Sequence, residues 1–260
     1  MILDEIAAKT RERINAEKKQ RTVGDIRRLA EQQAADLNFP FEKALRAPGL
    51  SFICEIKKAS PSKGVIAEEF PYLEIAKSYE DAGASAISVL TEPYYFQGSD
   101  RYLKEVAEQT AIPVLRKDFT IDPYMIYQAK ILGASAVLLI CAILKDEELR
   151  EYGQIAKSLG LSVLTEAHDE TEIERALRAG AKIIGVNNRN LKTFEVDVNH
   201  SRRLRSMVPP EVVFVSESGI SGPKDTGYLL DNGTDAVLIG EILMRSKDKK
   251  EMLKRLRLEI

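Results

Sequence analysis

One motif recurs along this chain and limits what it can fold into. Gly83-Ala84-Ser85-Ala86-Ile87-Ser88-Val89-Leu90 returns as Gly133-Ala134-Ser135-Ala136-Val137-Leu138-Leu139-Ile140, with weaker copies beginning at Gly180 and Gly233. Each copy joins a helix-stopping glycine to a β-rich apolar run, the handover from a helix to a buried strand. The interval is about fifty residues, roughly twice one strand-plus-helix unit. Further strand-like runs lie between the copies at 51–57, 113–117, 162–166 and 212–216. Amphipathic patterns at 72–81, 101–109, 123–132, 146–159, 170–179, 199–207 and 223–232 fill the gaps, and a last one follows Ser246. Alternation on this scale implies an α/β fold, a (β/α)8 TIM barrel. A doubly wound open sheet is the alternative, disfavoured by the strand number and by the absence of a Gly-x-Gly-x-x-Gly fingerprint.

At 260 residues the chain suits one barrel domain, 1–260, with a helical extension at 1–47 and the barrel at 48–260. In the extension Ile2, Leu3, Ile6, Ile14, Ile26, Leu29 and Ala30 recur at helical spacing, and 39–45 reads as another short helix. Three placements stay open: a lid over the top of the barrel, a plug under it, or a dimerisation arm. No apolar run approaches the roughly 18 residues of a membrane span, and the charged N-terminus is unlike a secretory signal. Cys54 and Cys141 lie in apolar runs, as expected of reduced core thiols in a cytoplasmic protein. A net charge of −2 offers no field for nucleic acid or acidic membranes. His168 and His200 stand far apart in sequence without clustered cysteines, so no metal site is expected.

Chemistry in such barrels gathers where strands end. On the first strand Ile53, Glu55 and Lys57 share one face, while Phe52, Cys54 and Ile56 share the other. A carboxylate and an ammonium on an otherwise apolar strand must pair, line a solvated cleft, or do both. The other strand ends bring Lys117 and Asp118, Glu166, then Asn187, Asn188 and Arg189, then Glu217 and Ser218. Desolvation would lower the lysine pKa values and raise those of the glutamates, and pairing would oppose both shifts. Such a set can give and take protons near neutral pH. Phe96 and Phe119 follow strands two and three, where they can hold a flat ring. Small residues after the last two strands, Ser218 and Gly219, then Gly240 before Glu241, fit a phosphate held by backbone N–H groups.

Seven segments in register carry a family resemblance. They are Glu55-Ile56-Lys57-Lys58-Ala59-Ser60-Pro61-Ser62, Val89-Leu90-Thr91-Glu92-Pro93-Tyr94-Tyr95-Phe96-Gln97-Gly98-Ser99, Leu115-Arg116-Lys117-Asp118-Phe119, Glu166-Ala167-His168-Asp169-Glu170, Ile184-Gly185-Val186-Asn187-Asn188-Arg189, Ser216-Glu217-Ser218-Gly219-Ile220, and Leu238-Ile239-Gly240-Glu241-Ile242-Leu243-Met244-Arg245. Together they span the barrel, and the chain resembles the indole-3-glycerol phosphate synthase family of tryptophan biosynthesis. Asn190 stands where that family often has Asp, and Ile242 where Ser is usual.

The resemblance implies a lyase that closes 1-(2-carboxyphenylamino)-1-deoxyribulose 5-phosphate to indole-3-glycerol phosphate, losing CO2 and water, with no cofactor. It makes Lys117 the acid and has Lys57 pair with the substrate carboxylate. Glu55 and Glu166 share the remaining proton steps, with Asn187 and Glu217 completing the catalytic set. Ser60, Pro61, Ser62, Phe96, Phe119, Asn187 and Arg189 would bind the substrate, and Ser218, Gly219, Gly240 and Glu241 its phosphate. The resemblance also favours the lid. Association with other tryptophan-pathway enzymes stays open. A sister enzyme, phosphoribosylanthranilate isomerase, would instead need a Cys/Asp pair, and a silent phosphosugar-binding barrel would have lost a strand-end lysine or glutamate.

Overall fold

The computed structural model describes residues 2–190 and 193–258, so Met1, at the start of the expected extension, lies outside the described residues. Eight parallel strands close into a barrel in sequential order: β1 (Ser51–Ile56), β2 (Ala86–Leu90), β3 (Val114–Lys117), β4 (Ala136–Ile140), β5 (Ser162–Ala167), β6 (Ile183–Asn187), β7 (Val213–Glu217) and β8 (Ala236–Ile239). Three helices come first: α1 (Ile2–Gln20), α2 (Val23–Glu31) and α3 (Pro40–Leu45). The outer layer is α4 (Tyr72–Asp81), α5 (Asp100–Gln109), α6 (Pro123–Ile131), α7 (Asp146–Ser158), α8 (Glu170–Arg178), α9 (Asn199–Leu204) and α10 (Pro223–Asp231), closed by α11 (Glu241–Arg245) and α12 (Lys249–Leu256). Among the described residues no helix is long and apolar enough to cross a membrane.

The repeat has a backbone cause. Gly83, Gly133, Gly180 and Gly233 follow α4, α6, α8 and α10 with φ of +79°, +83°, +86° and +74°, the left-handed turn that ends a helix and that glycine adopts without strain. Two residues later the chain already ties into the neighbouring strand: Ser85 N–H donates to Phe52 O, Ser135 N–H to Val114 O, and Asp235 N–H to Phe214 O. The motif is thus a helix stop plus the first rung of a parallel ladder. Start signals are equally local. Ser99, Asp122 and Asp169 cap α5, α6 and α8 through side-chain oxygens.

Strand alternation separates two cores. Phe52, Cys54 and Ile56 face the helical layer, whereas Ile53 packs inside the barrel with Leu115, Leu138, Leu164, Val215 and Leu238. The extension serves both ends. Phe41 and Leu45 of α3 join the inner core, and α3 packs against β1, β2 and β5, with Ser51 Oγ donating to Ala44 O at 3.3 Å. That end holds the strand starts, so α3 is a plug. Leu3 and Ile6 of α1 pack with Phe119 and Ile140 at the strand ends, so α1 is a lid. Arg13 anchors it, donating to both oxygens of Asp118 at 2.8 and 2.9 Å. Between them α2 packs on α6.

Candidate active site

The strand ends surround one chamber of about 750 Å³. Glu55, Lys57, Ser60, Pro61, Ser62, Phe96, Lys117, Phe119, Glu166, Asn187, Arg189, Glu217, Ser218, Gly219, Gly240 and Glu241 all reach its wall. Every residue given a catalytic or binding role by the sequence therefore meets in a single space. Asp118 and Asn188, also at strand ends, serve the scaffold. Asp118 is buried and takes Arg13, Arg116 and Thr91 as partners. Asn188 Nδ2 donates to Ser216 Oγ and Ser218 O, bracing the loop after β7.

The floor of the chamber is an ionic network. Lys57 Nζ lies 2.5 Å from Glu55 Oε2. Lys117 Nζ lies 3.4 Å from Glu166 Oε2 and 3.9 Å from Glu217 Oε2. Asn187 Nδ2 donates to the other Glu166 oxygen at 3.2 Å. Two glycines make room. A Cβ on Gly185 would stand 2.0 Å from Glu217 Oε1, and one on Gly240 would stand 2.6 Å from Glu55 Oε2.

Burial and pairing compete here, and the winner differs by residue. Burial alone would lower the Lys117 pKa, but Glu166, Glu217 and Glu55 outweigh it and hold the ammonium above its ordinary range. Burial would raise Glu166, yet Lys117, His168 and Asn187 keep it well below the usual carboxylate range. At Glu217 burial wins, helped by the charges of Glu166 and Glu55, and the pKa is pushed up to about 8. One carboxyl of the group therefore carries its proton at neutral pH.

The ends of the chamber differ in chemistry. Phe96 and Phe119 stand 6.0 Å apart at 38°, beside Ile2, Leu3 and Ile6 of the lid, and form an apolar slot for a ring. The opposite end is polar and glycine-bordered. Ser218 and Gly219 both take left-handed backbone, with φ of +69° and +84°, and a Cβ on Gly219 would meet Val196 Cγ1 at 2.3 Å. Gly240 precedes α11. Lys63 and Arg245 flank this end through Glu241, at 3.7 and 3.1 Å.

Sequence reasoning missed these two cations; it marked Ile2, Leu3 and Ile6 as an apolar helix face and the resemblance favoured a lid, but neither put those side chains on the chamber wall. It missed His168 as a neighbour of Glu166 as well, although the Glu166-Ala167-His168 spacing puts the two on one side of an extended chain. His168 and His200, distant in sequence, are neighbours here, with His200 Nε2 2.7 Å from His168 O. Arg189 NH1 donates to Phe194 O at 3.1 Å and so braces its own loop. Asn190 Oδ1 accepts from Thr193 N–H at 3.2 Å, a turn contact an Asp oxygen would make equally well. Cys54 is buried on the outer face, away from the chamber, which removes the Cys/Asp alternative.

Comparison with known proteins agrees with this geometry. The sequence profile for indole-3-glycerol phosphate synthase matches residues 3–256. The indole-3-glycerol phosphate synthase of Ruminiclostridium cellulolyticum is 58% identical over 257 residues, covering 99% of both chains. That of Lacticaseibacillus paracasei is 51% identical over 253 residues, covering 97% of each. Among solved structures, 3-hexulose-6-phosphate synthase from Salmonella typhimurium has a TM-score of 0.66 at 12% identity, covering 81% of this chain and 98% of its own, a likeness of fold alone. With matches running through lid, plug and every strand end, the chain belongs to the indole-3-glycerol phosphate synthase family.

Proposed function

We propose that this chamber closes 1-(2-carboxyphenylamino)-1-deoxyribulose 5-phosphate to indole-3-glycerol phosphate, with Lys117 as the acid of the ring-closing step. The observation that carries the reading is one chamber with a ring slot at one end, a glycine-bordered polar end opposite, and a carboxylate-bound ammonium between. The anthraniloyl ring lies against Phe96 and Phe119, with Ser60, Pro61 and Ser62 closing over it. Backbone N–H groups at Ser218, Gly219, Gly240 and Glu241 hold the phosphate, with Lys63 and Arg245 adding charge. Gripping both ends bends the substrate so that its reacting carbons meet.

The ring carbon bearing the carboxylate attacks the ketone carbon. Electrons move to the ketone oxygen, which takes a proton from Lys117. The bond to the carboxylate then breaks, CO2 departs, and its electron pair restores the aromatic ring. Lys57, which first pairs with that carboxylate, gives the proton that lets the new hydroxyl leave as water. Glu55 or Glu166 removes a proton from the adjacent carbon as the indole double bond forms. Two protons enter and one leaves, so each turnover consumes one. Glu217, protonated at neutral pH, donates to the substrate, while Asn187 holds a hydroxyl and Arg189 supports the loop over it.

On this reading 1–260 work as one domain, because α1 and α3 share the core of the strands. The enzyme works in the cytoplasm, where its two thiols stay free, and its partner is a small phosphorylated substrate and neither nucleic acid nor membrane.

Indole fluorescence tests this reading cleanly, since the chain contains no Trp. Purified protein should generate an indole signal from the carboxyphenylamino substrate with a chelator present. Lys117→Met should lose about 10²–10⁴-fold in turnover, the range for a removed general acid, with a smaller change in KM. A folded protein giving no indole, or one needing a divalent ion, would overturn the reading.

A further inference from the structure

The steps above use Glu166 but leave the side chain behind it without a task. His168, 16% exposed, follows β5 and turns its ring between two carboxylates. Nδ1 lies 3.1 Å from Glu172 Oε2, and Nε2 lies 3.3 Å from Glu166 Oε1. Glu172 also accepts the backbone N–H of His168 at 2.8 Å, which fixes the ring against α8. Among the described residues Nε2 makes no aligned hydrogen bond, so its contact with Glu166 is ionic.

Both ring nitrogens thus face ionisable oxygens that accept and do not donate. A neutral imidazole has one N–H and one lone pair, and either tautomer would aim the lone pair at a carboxylate. Only the imidazolium suits both sides. The N-terminus of α8, one residue beyond the Asp169 cap, works against a positive charge here. Two carboxylates at ion-pair distance outweigh it.

We propose that His168 is a positioning residue whose permanent imidazolium, clamped between Glu166 and Glu172, holds Glu166 ionised toward Lys117 and so leaves the proton of the carboxylate group on Glu217. This rests on Glu166 being a reacting group. Burial would lower the His168 pKa, but Glu166 and Glu172 overcome it and raise the value to about 10. The surrounding groups are consistent. Glu172 stands on α8, Lys117 and Asn187 reach the cluster through Glu166, and Glu217 stands behind Lys117. Cys141 Sγ donates to Glu172 O at 3.6 Å. His200 carries Arg203 on its far side, at 3.4 Å, and meets His168 at the backbone carbonyl.

With two histidines in the chain, His200→Gln leaves one ring to follow by NMR of the full-length protein. The ring of His168 should remain an imidazolium to about pH 8.5, well past the ordinary histidine range. His168→Gln keeps an N–H near the Nε2 position without the charge. Its kcat should fall about 10–100-fold at neutral pH, the order for supporting partners of reacting groups, with KM little changed. Losing the cation raises the proton affinity of Glu166, so the limb of activity that rises with pH should move upward, with partial recovery in alkali. A ring that titrates near its ordinary value, or a uniform loss with an unmoved pH profile, would overturn the proposal. Near-normal turnover in Glu166→Gln would instead sink the role of Glu166 and, with it, the positioning role, even if the ring proved charged.

Discussion

At Glu217 the carboxyl lies 3.9 Å from Lys117 Nζ, while its Oε1 has no hydrogen-bond partner among the described residues. Its raised pKa makes it a stability liability as well as a proton store. The folded protein binds this proton up to about pH 8, whereas an unfolded glutamate releases it near 4.5. Between those values the native state holds more protons than the unfolded one, so stability falls as pH rises through the window. Glu217→Gln, neutral at every pH, should therefore raise Tm more at pH 8.5 than at pH 5 while lowering turnover. Equal Tm shifts at both pH values would contradict the assignment. Strand alternation made the carboxylates legible in sequence. Which one keeps a proton depends on distances between strands far apart in the chain, so that stayed hidden.

At the scale of the element, the extension resolves into two devices. Helical spacing in 1–47 marks apolar faces but says nothing of what covers them. The structure puts the first turns of α1 over the ring slot and α3 beneath the barrel, so lid and plug coexist. Their variants should separate. Leu3→Ala should raise KM with a modest change in Tm, because the side chain borders the substrate. Phe41→Ala leaves a cavity in the inner core and should cost about 3–5 kcal/mol, with KM near normal. A chain starting at Pro48 loses both and should melt early as well as bind poorly. If Phe41→Ala altered only KM, the plug assignment would fail. The strand and helix limits were nearly legible, since caps and glycine stops are local. The α9 segment differs, ending at Leu204 and tightening into a 3-10 turn over Arg205–Met207 shortly before Pro209 and Pro210. The extended backbone favoured before proline sets Val208 at ψ 121° and stops the 3-10 turn there.

For the whole molecule, closure of the barrel divides every strand into a helix-facing and an interior side. Cys54 falls outside the interior and Cys141 at a strand end, and both thiols are free and buried. Burial drives the Cys54 pKa far above the thiol range and pushes Cys141, helped by the charge of Glu172, up to about 12. Neither can form a thiolate readily while the fold is intact. Alkylation should therefore be slow and should track global unfolding, accelerating with denaturant in step with loss of secondary structure. Rapid modification of Cys54 in fully folded protein would show that the outer layer opens locally.

What the sequence determined by itself is local. The glycine stop with its apolar run, the capping residues and the alternation along β1 are properties of a few consecutive residues, and they dictate eight strand–helix units and the residues at each strand end. What only the tertiary structure decided is relational. Closing the sheet brings Glu217 beside Gly185, sets His168 against Glu166 and Glu172, and sends the two ends of one extension to opposite mouths of the barrel. Those outcomes depend on through-space distances of a few ångströms between segments remote in the chain, where Coulomb energy and desolvation vary steeply and sequence spacing carries no information.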